Sequence, residues 1–132
     1  KTKKFSNESE KNNKVKLLLS NSNYFFKGAE DILNTDTPFL IYILGFYAME
    51  HRANALIAQE GFDIKDHKCS EIYLSKIGHK NLAKTLSIVQ IQRLNHYNLN
   101  LDETNKKRAI EFFEKTVKPF IGEIDRLIKE NE

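Results

Sequence analysis

Val15, Leu18, Leu19, Ser22, Phe25, Phe26, Ala29, Ile32 and Leu33 recur at steps of three and four residues. That spacing gathers side chains on one stripe of an α-helix of about five turns. A second helix is expected from Thr37, read as its cap, and Pro38, which loses no needed hydrogen bond at a first helical position. It runs to about Glu60, with Gly61 as its stop. Its first half, PFLIYILGFYAM, is apolar on every side and belongs at a bundle centre or under a partner chain, while Gly45 permits a close helix crossing. FDIKDHK reads as a polar link. After it, CSEIYLSKI and NLAKTLSIVQIQRLNHY read as a short third helix and a longer fourth, separated by Gly78. Asp102 is the expected cap of a last helix, whose stripe includes Ala109, Phe112, Phe113, Val117, Phe120, Ile124 and Ile128 and which Pro119 should kink.

No stretch alternates with period two for long enough to suggest a sheet, so the pattern predicts an all-α, up-and-down bundle of four to five helices. Residues 1–13, KTKKFSNESEKNN, are almost wholly polar and are expected to be a flexible tail, leaving 14–132 as a single helical domain. Lys1 is not a methionine, which leaves a preceding segment open. With 40% hydrophobic and 30% charged residues, 132 positions suit one domain with a real core and would crowd two.

Charge and cysteine content narrow the chemistry only slightly. A formal charge of +3 permits contact with phosphate without implying it, and the lysines are scattered rather than striped, which argues against duplex binding. One cysteine, Cys69, excludes an intrachain disulfide and fits a reducing compartment, so a cytoplasmic location is expected. The longest apolar run, from Phe39 to Ala48, falls far short of the roughly 20 residues that span a bilayer, and no membrane anchor is expected. No cofactor or metal is expected either. The chain lacks the Glu-x-x-His pairs of a di-iron bundle, a His-Glu-x-x-His helix and a glycine-rich phosphate loop. Phe112, Phe113 and Phe120 fall at core spacing rather than forming a stacking platform.

KGAEDIL on the first helix, FYAMEHRANALIAQEGFDIKDHK across the second, IQRLNHY on the fourth and KPFIGEIDRLI at the end occur in an order that resembles the HEPN superfamily. The likeness is to its small stand-alone branch and spans roughly residues 15 to 128. It implies a helical bundle that pairs into a homodimer, with functions centred on RNA or nucleotides. Ribonuclease toxins held by a nucleotidyltransferase-type antitoxin are the familiar use of the fold. The catalytic signature of that superfamily is an arginine followed, after about four to six intervening residues, by a histidine. The nearest match here is Arg93, Leu94, Asn95, His96, Tyr97, whose spacing is shorter and whose Leu94 stands where a polar residue is usual.

The side chains themselves suit either of two roles. Metal-free RNA cleavage needs a group that titrates near neutrality and a fixed cation for the scissile phosphate; His96 and Arg93 are those types, one helical turn apart. Tyr97 could stack on a base, and Asn95 lies between them. Equally, Arg93 could pair with a carboxylate, His96 favour the negative end of a helix and Tyr97 simply pack. Glu50, His51 and Arg52 form a second polar group, but adjacent helical positions diverge by about 100°, so at most one or two face a common ligand. His67 and Lys68, expected in the loop after Gly61, complete the candidates for RNA or nucleotide contact.

Two functions follow. One is a dimeric binding module that takes RNA or a nucleotide, or docks a nucleotidyltransferase partner, without robust catalysis. The other is a metal-independent endoribonuclease using Arg93 and His96. The shortened spacing favours the first.

Overall fold

The computed structural model describes residues 3–35, 37–96 and 103–132, with side chains described for all of these except 3, 67–68, 93–96 and 103–105. The described chain is an all-α bundle: α1 (Glu8–Asp31), α2 (Phe39–Gln59), α3 (His67–Lys76), α4 (Lys80–His96), α5 (Glu103–Phe112) and α6 (Lys118–Glu130). A π turn, Phe113–Val117, joins α5 to α6. Two-residue strands, β1 (Lys3–Lys4) and β2 (Phe62–Asp63), pair antiparallel with Lys3 opposite Asp63.

Helix α2 is the axis on which the other helices pack. The all-round apolar character of its sequence has this cause: Ile41, Met49, Ala53, Leu56 and Ile57 are fully buried because the helix is surrounded. Gly45 lies where α2 crosses the π turn. A Cβ there would come within 2.9 Å of Val117 Cγ2 and 3.0 Å of Phe112 Cε2, so the expected close crossing is present and needs the missing side chain.

Two glycines end helices as the sequence suggests. Gly61 and Gly78 have φ of 106° and 96°. At Gly78 the chain forms a complete Schellman motif, with His79 N–H donating to the Leu74 carbonyl at 2.8 Å and Gly78 N–H to Ser75 at 3.1 Å. Those bonds satisfy carbonyls at the end of α3 and aim the chain directly into α4.

The chain departs from the pattern-based expectations at three places, and beside Pro119 it adds a feature the pattern does not specify. α1 begins at Glu8, inside the stretch expected to be a tail, because Asn7 caps it: its Oδ1 accepts the Glu10 N–H at 2.8 Å. Thr37 makes no side-chain cap; its hydroxyl lies 3.1 Å from that of Thr35, and α2 begins at Phe39 with Pro38, expected at the first helical position, in the cap position instead. α3 takes in His67 and Lys68, which were expected in the loop, because the Asp66 carbonyl accepts the N–H groups of Cys69 and Ser70. Pro119 brings a π turn: the Lys118 N–H reaches back five residues to Phe113, and Pro119 has no N–H to offer the Lys115 carbonyl. The expected Asp102 cap lies outside the described residues.

The link after α2 is less polar than it reads, since Asp63 and Ile64 are both buried. Asp63 is held by two cations, with Lys65 3.1 Å from Oδ2 and Lys14 3.4 Å from Oδ1. Burial pushes its carboxyl upward, but Lys65 and Lys14 together outweigh burial and bring it below the ordinary value of 3.8. A carboxyl lowered on folding adds stability that is complete above its unfolded value and is lost as pH falls through the folded one. Asp63→Asn is therefore expected to lower the melting temperature at pH 7. The difference from wild type should shrink as the pH falls below about 4, as read by thermal melts across that range.

Candidate functional site

Of the stretch 93–97 that suggested a site, residues 93–96 fall at the end of α4. Arg93, Asn95 and His96 occupy its last turn. Their side chains, and Tyr97 altogether, lie outside the described residues, as do the side chains of His67 and Lys68.

Glu50, His51 and Arg52 are fully described, and they separate as helical geometry requires. Glu50 is 4% exposed, so the bundle covers it rather than leaving it open to RNA. Arg52, also buried, is the centre of a polar cluster that ties three helices: Nε donates to Ser22 Oγ at 3.0 Å, Nη2 to Asn23 Oδ1 at 2.5 Å and Nη1 to Asp125 Oδ1 at 3.0 Å. Ser22 Oγ in turn donates to the Ala48 carbonyl at 2.6 Å. The guanidinium thereby places donors toward α1 and α6 from α2, which is a structural role.

His51 is half-buried. A carbonyl only accepts, so its 2.8 Å contact with the Tyr47 carbonyl puts the proton on Nδ1. The ring packs on Phe25 at 5.2 Å, and Phe25 lies 5.3 Å from Tyr47 and 5.7 Å from the largely exposed Tyr24. Leu40, Ile43, Leu44 and Tyr47 on the same side of α2 are all only partly covered within the single chain.

A trough runs along the opposite flank of α2, between α4 and the closing α5–α6 helix. Three adjoining hollows form it. The first, about 360 Å³, lies at the start of α4 between His79, Lys80 and Glu123. The second, about 300 Å³, shares Leu82 with the first and reaches Pro119 and Phe120. The third, about 430 Å³, shares Lys115 and Thr116 with the second and adds Tyr42, Gln92 and Arg108. From Lys80 to Gln92 the trough follows α4 for twelve residues, about 18 Å at ~1.5 Å per residue. Gln92 is the residue before Arg93.

The charges on this trough are partly spent within the helix that carries them. Glu123 is forked by Arg126 at 2.9 Å, and Lys115 approaches Glu111 at 3.5 Å, both pairs exposed and worth little individually. Lys80 and Arg108 make no ion pair among the described residues. Arg108 faces Tyr42, whose phenol is pushed up by burial while the guanidinium pulls it back. Tyr42 stacks on Phe112 with ring centroids 4.8 Å apart.

Among the described residues no group of three or more His, Cys, Asp or Glu could hold a metal ion, and no helix is long and apolar enough to cross a membrane. The chain matches no protein-family model and no curated protein. Pattern reading missed Arg108, Lys115, Gln92 and Tyr42. They come from α2, α4, α5 and the π turn, and none stands in a motif; the available signal was Arg108 and Lys115 seven apart in the expected last helix, a spacing that puts both on one side of a regular helix.

Proposed function

We propose that the chain is a HEPN-like, dimeric helical domain that binds RNA or a nucleotide without robust catalysis. The supporting observation is the trough: it is rimmed by Lys80, Lys115 and Arg108, has polar side chains at its far end and leads to the turn of α4 that bears Arg93 and His96. A groove with a few scattered cations suits a single-stranded segment better than a duplex, which would require a basic stripe. The spacing of Arg93 and His96 keeps the histidine on the helix instead of beyond its end, so the pair is better suited to holding a phosphate than to attacking across it.

Dimerisation belongs to the same reading. The half-covered side chains Leu40, Ile43, Leu44 and Tyr47 leave apolar surface that a second copy would bury. Light scattering at micromolar concentration should give twice 15.4 kDa; a monomer would refute the pairing.

Fluorescence anisotropy with a labelled single-stranded RNA, in EDTA, tests the binding claim. Saturable binding is expected, weakening with salt at a log–log slope of about −2, as two or three phosphate contacts on a single strand predict. Arg93→Ala should weaken it at least tenfold, and the RNA should remain intact on a gel. Absence of binding by wild type would overturn the proposal. Cleavage lost in His96→Ala would replace it with the endoribonuclease reading.

A further inference from the structure

The third hollow of the trough brings together side chains of unlike chemistry, and the combination specifies a ligand class. Arg108 supplies a planar fork of donors, unspent on any carboxylate among the described residues, and Lys115 adds a point charge. Gln92 offers an amide that both donates and accepts, Thr116 a hydroxyl, and Glu111 a carboxylate that only accepts. At about 430 Å³ the hollow falls within the ~300–1,000 Å³ typical of small-molecule pockets.

Bare phosphate would engage the two cations but leave the amide idle and meet Glu111 as a like charge. A triphosphate would bring more negative charge than two cations beside a carboxylate can balance. A ligand with one anionic group and a neutral portion rich in hydroxyl and amino donors uses every group: the anion sits against Arg108 and Lys115, a ribose hydroxyl or base amine donates to Glu111, and a base edge meets Gln92. The π turn contributes as well. Thr116 and Lys115 belong to it, so the wider backbone turn that precedes Pro119 is what places both residues on the hollow.

We infer that the hollow bounded by Tyr42, Gln92, Arg108, Glu111, Lys115 and Thr116 is a binding site for a nucleoside monophosphate unit. This rests on the reading of the chain as an RNA- or nucleotide-binding domain and assigns that reading a specific pocket. The unit is either a free nucleotide or the phosphorylated end of an RNA strand, since Gln92 directly precedes the last turn of α4 where such a strand would continue.

Isothermal titration of the full chain with each of the four ribonucleoside monophosphates, inorganic phosphate and ATP tests the inference. At least one monophosphate should bind saturably, at least tenfold more tightly than inorganic phosphate or ATP. Arg108→Ala, at an exposed position, should weaken that binding at least tenfold with an unchanged melting temperature, and Gln92→Ala should alter the preference among bases. Competition separates the sources: a 5′- or 3′-phosphorylated oligoribonucleotide that displaces the monophosphate far better than its unphosphorylated counterpart assigns the pocket to an RNA end, whereas equal weak competition by both assigns it to the free nucleotide. No monophosphate binding at millimolar concentration, or binding indifferent to Arg108→Ala, overturns the inference. If RNA still binds in an Arg93-dependent manner, the pocket fails while the broader reading stands; if neither RNA nor nucleotide binds, both fail.

Discussion

Arg52→Ala is expected to destabilise the domain by about 3 kcal/mol, from lost charge-assisted hydrogen bonds and lost packing. The arginine side chain is 10% exposed and its partner Asp125 is 51% exposed, so removing the cation strands no deeply buried carboxylate. The loss comes from three charge-assisted bonds and the packing of the arginine stem between α1, α2 and α6. Asp125→Ala should cost far less, about 1 kcal/mol, because Ser22 and Asn23 still receive the guanidinium. Thermal melting would show the contrast as a fall of roughly 10 °C against a few degrees. Equal effects of the two substitutions would mean that the cluster matters only as a single ion pair.

Gly45→Val should be nearly as damaging for the opposite reason, excess volume. The first added carbon already meets Val117 Cγ2 at 2.9 Å, and that methyl belongs to a β-branched residue in the π turn, which cannot turn aside as a long side chain would. Two further methyls force α2 away from the closing helix, an overpacking cost of about 3 kcal/mol. Gly28 is the internal control. A Cβ there would lie 3.3 Å from Leu44 Cδ1, the free end of a flexible and partly covered side chain. Gly28→Ala should thus be neutral or stabilising by up to about 1 kcal/mol through helix propensity. Urea unfolding of the two variants would measure both; a tolerated Gly45→Val would show that the crossing can open without loss.

The helices were legible because their signals are local. The apolar run of α2 and the positive-φ glycines at 61 and 78 depend on residues within a turn or two, and Gly45 was readable as a gap inside an apolar helix although its partners Val117 and Phe112 are distant in sequence. The early start of α1 was also written in the chain, as the Asn7-x-x-Glu10 spacing of a capping pair, but a polar stretch without a hydrophobic stripe hid it. Thr37 misled because a threonine before a proline can cap the helix or bond its neighbour, and Thr35 decides the matter. The polar functions were less readable. Arg52 looks like one member of a Glu-His-Arg triplet, yet its partners lie at positions 22, 23 and 125, a grouping only the fold can make. The trough residues are likewise collected from α2, α4, α5 and the π turn, each an ordinary surface residue in its own sequence context. Residues 93–97 drew attention through clustering along the chain, and the side chains of that group are outside the described residues.

The most direct test of a single-stranded RNA track is where RNA touches the protein. Photo-crosslinking of the chain to a 4-thiouridine oligoribonucleotide, followed by mass spectrometry of the digested conjugate, should yield adducts in α4 between Lys80 and His96 and in the stretch from Arg108 to Thr116, weakened together by Arg93→Ala and Arg108→Ala. Adducts confined to the other flank, at Tyr24 and Phe25, or none at all, would contradict the account.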